Sequence, residues 1–168
     1  MARFARRDAG IVALACLAWV LLARRSAGDG PSADLFGVVA GLLVGAAAYV
    51  LHEWGHLLAG LAAGGAFGMN ANLRSPFAFR FDPDANSLRQ FVVMSLGGFA
   101  VTAAAIALAW GLLPDGLLAT RVARGAIAFL ATLTFGLELP LLLLGLARGR
   151  VPREAAVPVE SGSAGDRR

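Results

Sequence analysis

The sequence predicts an all-α integral membrane protein with about four transmembrane helices and a short β-hairpin-like insertion between the second and third helices. Three observations predict this class. Of the 168 residues, 58% are hydrophobic, and the mean hydropathy of +0.69 is too high for a soluble domain of this size. The apolar residues form four long runs, with the charged residues in short segments between them. One of those segments alternates apolar and polar residues with a period of two.

The first apolar run is short and lies between two pairs of arginines. Arginine side chains extend a short membrane helix by snorkelling to the surface. Their position directly after the run also argues against a cleaved signal peptide, which needs small neutral residues there. The polar C-terminal segment is rich in proline, serine and glycine, which predicts disorder. The predicted organisation is a single membrane domain, 1–146, with helices at about 9–23, 35–63, 91–113 and 125–146, and a disordered cytoplasmic tail, 147–168.

The basic residues are all arginine, and the net charge is +4. Arginines beside membrane helices contact anionic lipid and set the topology, so they indicate membrane lipid and not nucleic acid as the partner. Most of the 15 arginines face the cytoplasm if the N-terminus does, which predicts that both termini are cytoplasmic. The bias towards arginine, alanine and glycine indicates a bacterial cytoplasmic membrane. The one cysteine, Cys16, excludes an intrachain disulfide and is expected to pack as a small hydrophobe.

The alternating segment lies between the second and third runs. Phenylalanines at positions 77, 79 and 81 alternate with small or charged residues, and Ser75-Pro76 and Asp82-Pro83-Asp84 are typical of turns. The pattern predicts a short β-hairpin at the cytoplasmic membrane surface. The alternative is an amphipathic loop whose phenylalanines anchor in the membrane interface.

The second run contains the sequence His52-Glu53-Trp54-Gly55-His56, which holds both histidines of the chain. Helical residues four apart share one face, so both imidazoles can bind one metal ion. In an H-E-x-x-H motif the glutamate acts as general base on a metal-bound water, which assigns this role to Glu53. Ionisable groups are costly in lipid, and a bound Zn²⁺ ion would offset the cost of this cluster.

Small residues lead into the motif at four-residue spacing: Gly37, Gly41 and Gly45. Glycines at this spacing let a second helix approach closely, and His52 continues their stripe seven residues beyond Gly45. The histidines are therefore predicted to face protein. The alternative is that the glycines reflect only the glycine-rich composition.

Catalytic zinc usually has three protein ligands and one open position, so a third ligand is required. Glu138, in the fourth run, matches the histidines in depth when the helical rise is counted from the inner ends of the two helices. Asp115 falls in the outer loop, about 30 Å away across the membrane core. Asp82 and Asp84 reach the site only if their loop folds inward. Glu138 is the predicted third ligand, and the alternative is a buried protonated carboxyl group.

Two features beside Glu138 bear on this assignment. Pro140 removes a backbone donor and is expected to bend the helix, which frees the carbonyl of Gly136. Thr134, one turn before Glu138, is a candidate for supporting the ligand or contacting substrate. A threonine in this position also often bonds to its own helix backbone.

The chain resembles the site-2-protease class of intramembrane zinc metalloproteases over about residues 35–145. The resemblance rests on the H-E-x-x-H helix, the strand-forming insertion, a helix containing Gly97-Gly98, and a last helix with an acidic residue. It departs from the family where Gly-Pro-x-x-Asn and Asp-Gly are usual, because this chain has Gly97-Gly98-Phe99-Ala100-Val101 and Glu138-Leu139. Gly98 is the candidate in the third helix for a supporting or substrate-contacting residue.

The resemblance implies a zinc metalloendopeptidase in which His52 and His56 bind Zn²⁺ and Glu53 is the catalytic base. The substrate class that it implies is a transmembrane or juxtamembrane peptide. The alternative is a catalytically degenerate relative that acts by binding membrane partners, which the two altered motifs favour and the retained Glu53 opposes. A haem protein is excluded, since histidines four apart cannot bind opposite faces of one haem. The sequence does not indicate an oligomeric state.

Overall fold

The structure, a computed structural model, describes residues 1–73, 75 and 77–155. A 3₁₀ turn, Ala23–Ala27, extends the first helix. A π-helical turn, Thr134–Glu138, joins the last two helices of the chain. In chain order the elements are α1 (Ala2–Leu22), α2 (Pro31–Ala62), β1 (Phe67–Met69), β2 (Phe79–Phe81), α3 (Leu88–Gly111), α4 (Leu118–Leu133) and α5 (Leu139–Arg148).

Within the described residues, four helical segments are long and apolar enough to cross a membrane, as the sequence predicts. They are Ala2–Ala27, Pro31–Ala62, Leu88–Gly111 and Leu118–Arg148, the last of which combines α4, the π-helical turn and α5. Helix α2 lies in the middle of the bundle and packs against α1, α3 and α4. Part of its surface stays uncovered, since Leu42, Leu51 and Leu58 are exposed.

All four spanning helices begin earlier than the apolar runs indicate, α2 and α3 by three or four residues and α1 and α4 by seven. Helix α1 begins at Ala2 and not near residue 9, because Phe4 is buried and Arg7 and Asp8 have partners within the protein. Helix α4 begins at Leu118 and not near residue 125. Its Arg124 donates hydrogen bonds to the carbonyls of Ala109 and Leu113 and pairs with Asp115. Charged residues whose hydrogen bonds are satisfied by the protein do not end a helix, although they interrupt the hydropathy pattern.

The predicted β-hairpin is present as a small two-stranded antiparallel sheet. Phe67 pairs with Phe81 and Met69 with Phe79. Strand β2 lies in the alternating segment, whereas β1 lies before it, where the sequence analysis did not expect a strand. Phe79 and Phe81 are buried against the helices, so these two phenylalanines pack in the core and do not anchor in the membrane interface.

The glycine stripe of α2 packs against α4, as its spacing predicts. A Cβ atom on Gly37, Gly41 or Gly45 would overlap Leu118, Val122 or Ala126, which are themselves four residues apart. These glycines are therefore required by the close approach of two helices. The contact places α4, and with it the chain that leads to Glu138, directly beside the helix that carries the histidines.

An apolar core lies at the end of the bundle where the hairpin packs, and it joins α1, α2, the hairpin, α3 and α5. Its buried members are Phe4, Leu57, Ala78, Phe79, Phe81, Phe91, Met94 and Leu142. Helix α3 begins beside this core because Ser87 and Gln90 form a capping box.

The predicted start of the C-terminal tail needs correction. Helix α5 ends at Arg148, where Gly149 adopts a left-handed conformation, and Pro152 is buried against Gly145, so the predicted disorder starts too early. Residues 156–168 of the predicted tail lie outside the described part of the chain.

The expected burial of Cys16 is wrong. Cys16 is exposed and does not pack in a core, and it lines an apolar cavity of about 540 Å³ between α1, α2 and α3.

Candidate metal centre

Three predicted site residues come together where α2 meets the π-helical turn. His52, His56 and Glu138 each offer a ligand atom, and these atoms lie within 4.8 Å of one another. The Nε2 atoms of the two histidines are 3.0 Å apart. Glu138 Oε1 lies 3.1 Å from His52 Nε2, and Glu138 Oε2 lies 3.2 Å from His56 Nε2.

The opposite ring nitrogen of each histidine is held by α3. His56 Nδ1 lies 2.9 Å from the carbonyl oxygen of Met94, and His52 Nδ1 lies 3.1 Å from that of Gly98. A carbonyl oxygen only accepts, so the Nδ1–H group of each ring donates to it. The Thr102 hydroxyl oxygen, 2.8 Å from His52 Nδ1, also accepts from the N–H group of that ring. The protons on Nδ1 leave both Nε2 atoms as lone-pair acceptors that face Glu138.

This arrangement fits a bound cation. Two Nε2 lone pairs and a carboxylate meet within about hydrogen-bonding distance, and three acceptors without a proton between them repel one another. A single proton at the centre would satisfy only one of the contacts, whereas a cation satisfies all three. At Zn–N distances of 2.0–2.1 Å, a tetrahedral ion holds its ligand nitrogens roughly 3.3 Å apart, close to the separation found here.

Burial differs across the three side chains. His52 and His56 are 1% and 10% exposed, whereas Glu138 is 33% exposed. The open side of the cluster is therefore the side of Glu138. A catalytic metal site keeps one position for water or substrate, and this is the side from which either would arrive.

Gly98 has two functions in the contact between α2 and α3. Its carbonyl accepts from His52, and a Cβ atom on it would overlap the imidazole ring of His56. The neighbouring Gly97 packs against Gly55 and Ala59 at similarly short range. The predicted supporting role of Gly98 therefore has a structural basis in the histidine positions, while any contact with a substrate stays a prediction.

The π-helical turn explains the position of Glu138. Pro140 has no N–H group and cannot bond to the carbonyl of Gly136, so the regular helical ladder is interrupted just before it. The chain widens there into a π-helical turn from Thr134 to Glu138, an element often found at functional sites. A bend at Pro140 was predicted but this widened turn was not, because helix propensities do not distinguish a bent α-helix from a π-helical turn.

Thr134 is fully buried, and its hydroxyl has no hydrogen-bond partner among the described residues. It therefore neither bonds to its own helix backbone nor donates to Glu138. Its predicted role in supporting the ligand is not visible as a contact.

The other acidic candidates lie elsewhere. Asp115 is 88% exposed and paired with Arg124. Asp82 forms a local turn, in which its carboxylate accepts from the backbone of Asp84. Glu53 is partly buried and interacts electrostatically with both histidines and Glu138, but it does not belong to the group of potential ligands.

Asp8 was not among the predicted site residues. Its carboxylate is buried, pairs with Arg7 and accepts a hydrogen bond from Trp54 in the middle of the H-E-x-x-H motif. Asp8 lay just before the predicted helix, 9–23, but it is the seventh residue of α1, where acidic residues are rare without a function.

Comparison of the chain with known protein families, curated proteins and solved structures gave no match.

Proposed function

We propose that the protein is an intramembrane zinc metallopeptidase. The observation that carries the proposal is the convergence of His52 Nε2, His56 Nε2 and the Glu138 carboxylate, with each imidazole held from behind by an α3 carbonyl. Metal-binding histidines characteristically donate their second N–H to such an acceptor, which fixes the ring and makes the ligand nitrogen more basic. The resemblance to site-2 proteases supports the same assignment through the motif that contains these histidines.

Glu53 supplies the base. When bound, Zn²⁺ acidifies a water molecule and polarises the scissile carbonyl. Glu53 would take a proton from the attacking water as the water oxygen bonds to the carbonyl carbon. It then delivers the proton to the amide nitrogen as the carbon–nitrogen bond breaks, which leaves a carboxylic acid and an amine. Glu53 suits this role because it adjoins His52 without joining the group of potential ligands.

The depth of the site supports a membrane-embedded or juxtamembrane peptide as the substrate. His56 lies six residues and His52 ten residues before the end of α2 at Ala62, which places them roughly 9 and 15 Å from that end at 1.5 Å per residue. Glu138 lies ten residues before the end of α5 at Arg148, again roughly 15 Å. Both spanning segments are longer than the roughly 30 Å hydrocarbon core, since the 32 residues of α2 extend about 48 Å, so all three side chains would lie near or just inside one boundary of the core.

The proposed activity is tested with the full chain in lipid vesicles that contain membrane-spanning reporter peptides. We expect cleavage that is lost when a chelator removes the metal and restored by Zn²⁺. Zinc binding without cleavage of any reporter would oppose the peptidase proposal and favour the non-catalytic alternative.

We also propose that the chain lies in a bacterial cytoplasmic membrane with both termini in the cytoplasm. The support is the arginine distribution, which places most basic residues on that side. Reporter fusions after Arg150 and within residues 74–89 should report the cytoplasm, and a fusion near Asp115 should report the opposite side. The inverted pattern would place the metal in the outer half of the membrane and contradict the proposed orientation.

A further inference from the structure

The buried carboxylate of Asp8 connects two parts of the molecule outside the ligand cluster. Asp8 is 4% exposed and lies in the second turn of α1. Its Oδ1 accepts from Arg7 Nε at 2.7 Å, and its Oδ2 accepts from the indole Nε1 of Trp54 at 2.8 Å. Each carboxylate oxygen therefore has a donor, which is what a buried charge requires.

Arg7 continues this connection to the hairpin. Its Nη1 donates to the carbonyl oxygens of Leu73 and Ser75 at 2.8 and 2.9 Å. Its guanidinium also lies over the ring of Phe4 at 4.7 Å. The loop between β1 and β2 is thus bound, through Arg7 and Asp8, to a side chain of α2.

Trp54 is the residue through which this contact reaches the metal site. It lies two residues from each histidine, and at 100° per residue its side chain leaves α2 on the face roughly opposite to His52. Asp8 and the α3 carbonyls therefore hold the same turn of α2 from different sides. A rotation of that turn about its axis would stretch the Asp8–Trp54 bond and move both Nε2 atoms away from Glu138.

We propose that Asp8 is a positioning residue for the metal site. Through its hydrogen bond to Trp54 it fixes the rotation of the turn that carries both histidines and Glu53, and through Arg7 it ties that turn to the hairpin. The inference rests on the proposed metal site, and it assigns a function to the α1 residues that the motif alone does not identify.

The test is the affinity of the purified full chain for Zn²⁺ alone, measured by competition with a chromophoric chelator. Trp54→Phe keeps the aromatic bulk and removes only the donor. We expect its zinc dissociation constant to rise about tenfold, within the 10–100-fold range for residues that orient metal ligands. Asp8→Asn keeps one acceptor oxygen and should show a smaller rise. Combining it with Trp54→Phe should add little, because the shared bond is already lost.

Trp110→Phe is the matched control, because Trp110 packs over Arg124 away from the site, and it should bind zinc like the wild type. Equal zinc affinity in wild type and Trp54→Phe would overturn the inference. A lower unfolding temperature with unchanged affinity would also overturn it, since the contact would then be only structural. If Trp54→Phe does not fold, Asp8→Asn decides by the same criterion. A wild type that binds no zinc would instead defeat the proposed metal site, which the wild-type measurement alone reveals.

Discussion

Replacing Glu53 by glutamine should slow peptide cleavage about 10²–10⁴-fold while zinc stays bound, which is the usual contribution of a general base. Glutamine has nearly the same shape but cannot take a proton from water. The ligand group consists of His52, His56 and Glu138, so the metal loses no contact. The measurement is kcat for a membrane-spanning reporter peptide, together with the zinc content of the same preparation.

The variant also separates the roles that Glu53 can have. Full activity in Glu53→Gln would contradict the proposed mechanism. Loss of zinc would show that Glu53 is a ligand and that the ligand group is assigned wrongly. Asp115→Asn is a suitable control, because that carboxylate is exposed on the loop before α4 and should not influence either measurement.

Replacing Glu138 by glutamine should weaken zinc binding by more than about 100-fold, beyond the range found for residues that only orient ligands, and should abolish cleavage. The substitution removes the negative charge from the only acidic member of the cluster. An amide oxygen is a weaker ligand for zinc than a carboxylate, and its nitrogen would face the histidine lone pairs. Glu138→Asp should retain part of the affinity, because the charge remains while the shorter side chain ends farther from the histidines.

Unchanged zinc affinity in Glu138→Gln would contradict the assignment of the third ligand. The buried, protonated carboxyl group that the sequence leaves as an alternative would then describe Glu138 better. Zinc titration of both variants, with Asp115→Asn beside them, distinguishes these results.

The residues of the candidate metal site were predictable because each depends on a regular periodicity. The histidines converge by the four-residue spacing of one helix. Glu138 was selected by depth, which follows from the helical rise and the antiparallel course of two long helices. The close helix contact at the glycine stripe was also predictable, since small residues at four-residue intervals favour such a contact. Helix α4 forms it.

The parts that were not predicted depend on tertiary partners. Hydropathy placed the starts of α1 and α4 too late, just after Asp8 and Arg124, because these charged residues have partners in the protein that the sequence does not reveal. Strand β1 was missed because Phe67–Met69 is too short to show alternation, and it forms only by pairing with β2. The carbonyls of Met94 and Gly98 could not be predicted either, since any residue has a backbone carbonyl and only the helix packing selects these two.

The central claim is that the cluster of His52, His56 and Glu138 binds zinc, and elemental analysis of gently purified, metal-replete protein tests it most directly. Two histidines and one carboxylate are also the ligand set of non-haem iron enzymes, so the measurement must cover all transition metals. We predict one zinc ion per chain in the wild type and none in His52→Ala. A wild type without a transition metal, or one that holds iron in place of zinc, would contradict this account.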